Sequence, residues 1–399
     1  MNMDCYRYRY YKVNEYFLSA AGIWPYQTKR KKVFLCSITT FCILSIHAAQ
    51  ISEFISCKQN VTCILQATPV FILHLIMYIK IYTYGLQTTK MKSLLELMFT
   101  EWRLLKSKEE IEIMEEYAKR GRQYTIFYAA YVFSTAIGCV LATLTPQFLD
   151  LIKPINQSRP VILLYPAEYF VDVDKNFTYI FIHMVVVLII GLLALIAADT
   201  MFICYTEYIN GLFAVVGYRF QHTLYQYNVS KILCQNLTSL KLSKTTYNEI
   251  LANTVEMHLR AINFVKLVES TYTLPFAIML GLNTVIMSCT LLQIVMVSGQ
   301  TEEMIKYLVY VIAQVFHLFC ISFQGQKIID SSIETTHKIY NGLWYTMPLK
   351  WQKNLLIPLR KCLEPCRLSA GMIYIFSLQS FTTVMQASMS YFTVLSSFR

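Results

Sequence analysis

The sequence predicts an all-α polytopic membrane protein with seven transmembrane helices, a cytosolic N-terminus, an extracellular C-terminus, and helices extended into a cytosolic bundle. Three observations predict it. The 399 residues are 55% hydrophobic and only 15% charged, with a mean hydropathy of +0.42, where soluble domains carry about 25% charge. Seven runs approach the roughly 20 apolar residues that a spanning helix needs: 33–56, 61–85, 123–145, 177–203, 270–297, 304–326 and 372–396. The basic residues are sorted, with 28 of the 35 Lys and Arg in 1–32, 86–122, 204–269 and 327–371 and five in the alternating segments. An excess of Lys and Arg marks the cytosolic side.

The N-terminal segment 1–32 includes "MNMDCYRYRYYKVNEYF" and a basic "KRKK" at Lys29–Lys32. It has no apolar core followed by a small-residue cleavage site, so no removed signal peptide is expected. The first two spans flank a short outer loop, 57–60, where Cys57 and Cys63 can pair in an oxidising compartment. Lys80 in the second span and Lys306 in the sixth lie near predicted ends, where their stems can snorkel to the interface.

The segment 86–122 carries an amphipathic helix, with Met91, Leu94, Leu95, Met98, Trp102 and Leu105 on one face and Glu96, Arg103 and Lys106 beside it. The segment 204–269 repeats the pattern at Ile250, Leu251, Val255, Leu259, Ile262, Val265 and Val268. So does 328–346 within the cytosolic segment 327–371. Either the membrane helices continue inward and pack together as an anchor, or these are separate helices on the membrane surface. Glu249, Glu256 and Glu269 disfavour the second, because an anionic leaflet repels them.

The one sizeable outer loop, 146–176, holds Pro146, Pro154, Pro160 and Pro166 and the run "EYFVDVD", and could cover the outer mouth of the bundle. Glycosylation tripeptides at Asn60, Asn156 and Asn176 fall outside; those at Asn228 and Asn236 fall inside. "CLEPC" at Cys362 and Cys366 has no second pair nearby and reads as structural.

The chemistry-bearing patterns of enzymes are missing. There is no phosphate-cradling glycine loop, no HExxH and no GxSxG, so neither an enzyme nor a metal or other cofactor is expected. Nothing calls for a nucleic-acid partner. No inverted halves mark a transporter, and no arginine ladder marks a voltage sensor. A cytosolic N-terminus argues against the G-protein-coupled receptors, which share the helix count with the opposite orientation.

Two features remain. In the last span, 372–396 with its short outer tail to 399, Gln379, Thr383, Gln386, Ser390, Thr393 and Ser397 follow at steps of 3 and 4, one face of a helix. They are hydrogen-bonding glue between helices or the wall of a water-filled path, which would need several copies around an axis. The outer halves of the other spans carry Phe71 and His74, Tyr131 and Ser134, Tyr179, His183 and Met184, Met287, and Tyr307 and Tyr310. Those residues either pack helices together or line an apolar cavity with a few hydroxyls, suited to a small hydrophobic molecule.

"YNGLWYTMP" from Tyr340, "LSAGMIYIFSLQSF" and "SYFTVL" resemble the insect odorant receptors. The resemblance covers the whole chain in length and topology, and its specific motifs lie from Tyr340 onward. Related gustatory receptors and the odorant receptor co-receptor tend to carry a Thr-Tyr pair and a later Gln, where this chain has Ser390-Tyr391 and Ser397. The co-receptor's long cytoplasmic insertion between the fourth and fifth spans is also lacking. The resemblance thus implies an odorant-tuned subunit of a nonselective cation channel, in a hetero-tetramer with the co-receptor, in the plasma membrane of sensory neurons. It implies a pore lined by Thr383, Gln386, Ser390, Thr393, Val394 and Ser397, with Val394 at the gate and Ser397 just outside it. The alternatives are a secondary transporter of a small molecule and a gustatory-receptor-type channel.

Overall fold

The computed structural model describes residues 9–58, 60–105, 107–152, 159, 161–233, 237–296, 301–342, 344–371 and 373–397. The side chains of 223–247, 301–303 and 395 lie outside that description, as do Asn156, Asn236 and Arg399. Ten α-helices account for almost all of the described chain. They are α1 (Lys12–Ala20), α2 (Lys29–Ser56), α3 (Val61–Leu86), α4 (Thr88–Arg103), α5 (Lys108–Ile152), α6 (Val173–Leu233), α7 (Leu237–Met296), α8 (Thr301–Tyr340), α9 (Leu349–Cys362) and α10 (Leu378–Ser397). A two-stranded antiparallel ribbon, β1 (Ser369–Ala370) with β2 (Tyr374–Ile375), precedes α10.

Among the described residues, six helices are long and apolar enough to cross a membrane: α2, α3, α5, α6, α7 and α8. The seventh, α10, has 20 residues and a length of roughly 30 Å at 1.5 Å per residue, enough for the hydrocarbon core. Its recurring polar positions keep it below the hydropathy of the others. It also starts at Leu378, because the strands Ser369–Ala370 and Tyr374–Ile375 come before it, where the sequence predicts a span from 372.

The predicted loops 86–122 and 204–269 are largely helix. The 61 residues of α6 and the 60 of α7 each reach about 90 Å at 1.5 Å per residue, three times the membrane core. α6 is the centre of the bundle. Its part from Ile196 to Phe220 is enclosed, with Ile196, Tyr205, Ile209, Phe213, Val216 and Phe220 all buried. α5, α7 and α8 pack along it.

The face predicted in 86–122 is inside: Met91, Leu94, Leu95, Met98, Trp102 and Leu105 are all buried. In α7 the buried set is Leu251, Thr254, Met257, His258, Ala261, Phe264, Val265 and Val268. Leu259, assigned to that face by the sequence, is 39% exposed, one residue out of phase with His258. Buried polar contacts tie the layers together. Arg219 donates to both Glu110 oxygens at 2.7 and 2.8 Å, and Lys327 pairs with Glu207. The N-terminal helix is drawn in as well, with Asn14 buried and its amide on Thr125 Oγ1 (3.3 Å) and Thr200 O (2.9 Å).

Two backbone arrangements place the last helix. Gly371 turns the ribbon at φ +61°, a left-handed conformation open to glycine. Gly325 of α8 lies so close to the chain that an added Cβ would stand 2.3 Å from both Cβ and O of Phe376. At the other end of the molecule, Asn60 caps α3 by accepting from Thr62 N at 3.1 Å and Cys63 N at 3.4 Å, and Cys57 and Cys63 form a disulfide.

Candidate functional site: a cavity in the bundle and the polar face of the last helix

A cavity of about 190 Å³ opens between α3, α5, α6, α7 and α8. Its wall is mostly apolar: Pro69, Val70, Leu73, Val132, Ala136, Leu188, Leu192, Leu195, Met279, Ile286 and Phe316. Polar groups are few: His74, Tyr131, Thr135, Asn283, Tyr310, Gln314 and, at one end, Tyr128 and His317. Leu164 and Tyr165, from the segment before α6, close one side. An engineered apolar cavity of about 150 Å³ binds benzene, so this volume suits a small organic molecule.

Helix phase decides which residues reach it. On α5 the lining positions Tyr128, Tyr131, Val132, Thr135, Ala136 and Cys139 recur every three to four residues. Ser134 is one residue out of register, exposed, and its hydroxyl donates to Tyr131 O at 2.9 Å. Pro69 has no N–H for the carbonyl of Leu65 four residues earlier, and the side chain of Gln293 on α7 donates to that carbonyl instead. The proline thus leaves an acceptor that joins α3 to α7.

Of the ten residues that the sequence singled out for a pocket, the structure brings His74, Tyr131 and Tyr310 into the wall. The other seven lie elsewhere. Phe71 meets His47 at a tilt and Phe54 edge to face, with centroids 4.9 and 5.4 Å away. Tyr179 points outward and is 77% exposed. Met184, Met287 and Tyr307 are buried in packing. His183 is a satisfied histidine, bonded to Ser45 Oγ at 2.9 Å and Tyr169 OH at 2.8 Å. Burial pushes the Tyr169 phenol up to about 12, so this hydroxyl keeps its proton.

Beneath the cavity lies a charged cluster that the sequence reading missed. Asp199 of α6 pairs with Lys80 of α3, accepts from Tyr128 OH of α5 at 2.7 Å, and lies 3.1 Å from His317 Nε2 of α8. Lys80 does not snorkel: it is buried, 2% exposed. Its ammonium turns into the bundle, where Asp199 and His317 meet it. One carboxylate therefore gathers four helices. Beside it the Tyr84 hydroxyl donates to Ala198 O at 2.7 Å and meets Tyr272 OH at 2.6 Å.

The last helix packs one face on α7 and α8, with Ser388 buried. Among the described residues, its other face has no partner within the chain. Thr383, Gln386, Ser390, Thr393, Val394 and Ser397 are all exposed. The hydroxyls of Thr383, Ser390 and Thr393 donate to carbonyls four residues back, at 2.9 to 3.1 Å, and that of Ser397 donates to Val394 O at 2.7 Å. The exposed amides of Gln379 and Gln386 add polar groups that helix back-bonding does not satisfy.

Comparison with known proteins bears on what this arrangement is. The family model described as 7tm Odorant receptor matches residues 60–389. Odorant receptor 13a of Drosophila melanogaster is 24% identical over 274 residues, 65% of this chain and 62% of that one. Odorant receptor 49a of the same organism is 26% identical over 166 residues, 41% of this chain and 42% of that one. An odorant receptor coreceptor from Harpegnathos saltator is 30% identical over 146 residues, 35% of this chain and 29% of that one. These matches span less than two thirds of each relative. A solved structure of the insect olfactory receptor OR5 from Machilis hrabei, in complex with eugenol, superposes with a TM-score of 0.78 over 99% of both chains at 14% identity.

Proposed function

The chain belongs to the 7tm odorant receptor family, and on that premise we propose that it is an odorant-tuned subunit of a ligand-gated, nonselective cation channel. Membership makes it a membrane receptor of olfaction, not an enzyme. The cavity takes a small hydrophobic volatile, in the outer half of the bundle. Its size and its mostly apolar wall fit that class. The related Machilis hrabei receptor, with the same fold, was solved with eugenol, a molecule of that class.

The observation that carries the channel reading is the outward polar face of α10. A helix whose polar residues served only its own bundle would turn them inward. Here they point away from it along the helix, and four copies around an axis would enclose water between them. Val394, 52% exposed on that side, would form the hydrophobic constriction and Ser397 would lie just outside it. The disulfide at Cys57 and Cys63 suits an oxidising compartment. That supports an extracellular α2–α3 turn, a cytosolic N-terminus and an outer end for α10.

Partner chemistry follows the family: the co-receptor completes a hetero-tetramer, in the plasma membrane of sensory neurons. The paired helix extensions that pack below the membrane form the anchor. Ligand in the cavity favours one of two helix packings, and the shift is bounded by its difference in affinity for the two. Whole-cell recording from cells expressing this chain with a co-receptor, under a panel of volatiles, tests the reading. Current is expected only when both chains and an active volatile are present. Absence of current under every volatile, with the protein at the surface, would remove it.

A further inference from the structure

We propose that the cavity selects ligands carrying a hydroxyl group, which it reads through two hydrogen-bond acceptors on α8, Gln314 and His317. The proposal rests on the reading of this cavity as the odorant site. Both residues line the cavity one helical turn apart, on one face of α8.

The protonation of each can be assigned from its neighbours. Asp199 as a carboxylate only accepts, so His317 Nε2, 3.1 Å from Asp199 Oδ2, carries the ring proton. Lys80 already pairs with Asp199, and its ammonium stands 3.5 Å from the same Nε2. Nδ1 is then left as a lone-pair acceptor, with no partner among the described residues.

The amide of Gln314 is fixed by similar reasoning. Thr290 Oγ1 donates to Ile286 O at 2.7 Å, so it can only accept from Gln314, whose Nε2 lies 3.4 Å away. That turns Oε1 elsewhere, and it is a buried acceptor without a partner. Asn283 of α7, also in the wall, holds a buried amide donor, Nδ2, without a partner.

A buried polar atom left unmet is costly, and a ligand that meets it recovers that cost. A hydrocarbon meets none of these atoms. An aldehyde, ketone, ester or ether has lone pairs only; it can accept from Asn283 or from a wall phenol such as Tyr131 or Tyr310, and leaves the acceptors unmet. A hydroxyl accepts from Asn283 or donates to Gln314 Oε1 or His317 Nδ1. One hydrogen bond of ordinary strength changes affinity by roughly fivefold.

The experiment uses the full chain with the co-receptor and ligands matched in skeleton: toluene, benzaldehyde and benzyl alcohol, then hexane, hexanal and hexanol. Half-maximal concentrations of evoked current are compared as free aqueous concentrations. Within an active skeleton the alcohol is expected to be about fivefold or more as potent as the aldehyde, and the hydrocarbon the weakest. In Gln314→Met alone, and in Gln314→Met combined with His317→Phe, that alcohol preference should vanish, with surface labelling reporting that the protein is assembled. Equal potency of alcohol and aldehyde in the unaltered chain would overturn the inference and leave the channel reading standing. So would an alcohol preference that survives the double substitution. Silence to every volatile would overturn both.

Discussion

Lys80 and Asp199 lie 119 residues apart in sequence and meet as an ion pair inside the bundle, their side chains 2% and 3% exposed. A charge within a membrane helix is costly, and it survives there when paired. This pair is further satisfied by Tyr128 and His317, so it joins the floor of the cavity to α3 and α6. The two partners are therefore expected to tolerate change together better than apart. Lys80→Met or Asp199→Asn alone leaves the other poorly compensated, at a cost of about 3–5 kcal/mol. The double variant should recover part of that loss. Thermal melting of the detergent-solubilised protein, set out as a double-mutant cycle, measures the coupling. Additive losses would show that the two residues do not act as a unit.

Gly325 and the ribbon make a second prediction. A methyl at Gly325 would meet the Phe376 carbonyl oxygen as well as its Cβ, and backbone cannot swing aside. Gly325→Ala should displace the ribbon that leads into α10, costing about 1–3 kcal/mol, and should reduce evoked current beyond any loss of surface protein. Gly191 offers the control. Its added Cβ would also come within 2.3 Å of an atom, but that atom is Met77 Sδ, in a flexible side chain that can move. Gly191→Ala is expected to be the milder change in both surface labelling and current.

How far the sequence reached differs between the two sites for one physical reason. The polar stripe of α10 was legible because hydroxyls and amides stand out against lipid, and the positions of Gln386, Ser390 and Ser397 fix its phase. The cavity was not, because lipid and bundle interior are equally apolar and hydropathy cannot say which side of a helix faces which. Tyr131 and Thr135 face in while Ser134 faces out, and nothing in their side-chain chemistry separates them. Lys80 was misplaced because a helix end was taken for a membrane boundary, whereas its ammonium turns into the bundle to meet Asp199 and His317. The amphipathic face from Met91 to Trp102 was legible, since in water apolar and polar sides differ.

The same phase argument predicts neighbouring residues with opposite sensitivity. Thr135 lines the cavity; Ser134 is exposed on the outer side of α5. Thr135→Leu adds bulk to the wall and should shift the half-maximal concentration of an active odorant by about tenfold or more, the effect of 1.4 kcal/mol. Ser134→Leu should leave it within about twofold, as surface changes away from special features do. Concentration–response curves at matched surface expression decide the matter. Equal shifts in both would mean that the phase of α5 is wrong.

The last prediction concerns which side of α10 meets water. Cysteine placed by Gln386→Cys, Ser390→Cys or Ser397→Cys lies on the exposed face, and by Ser388→Cys on the face buried against the bundle. A charged thiol reagent applied outside during odorant exposure should block current through the first three and spare the fourth, since a thiol reacts as its water-exposed thiolate. The order along the helix is informative. Ser397 lies one turn above Val394, so Ser397→Cys should react with or without odorant. Gln386→Cys lies below and should react only when the constriction at Val394 has opened. Ser397→Glu, a carboxylate at the outer end, should raise cation over anion permeability, as rings of acidic side chains do. If all the positions react alike, or if only Ser388→Cys does, the polar face of α10 is not the wall of a conducting path.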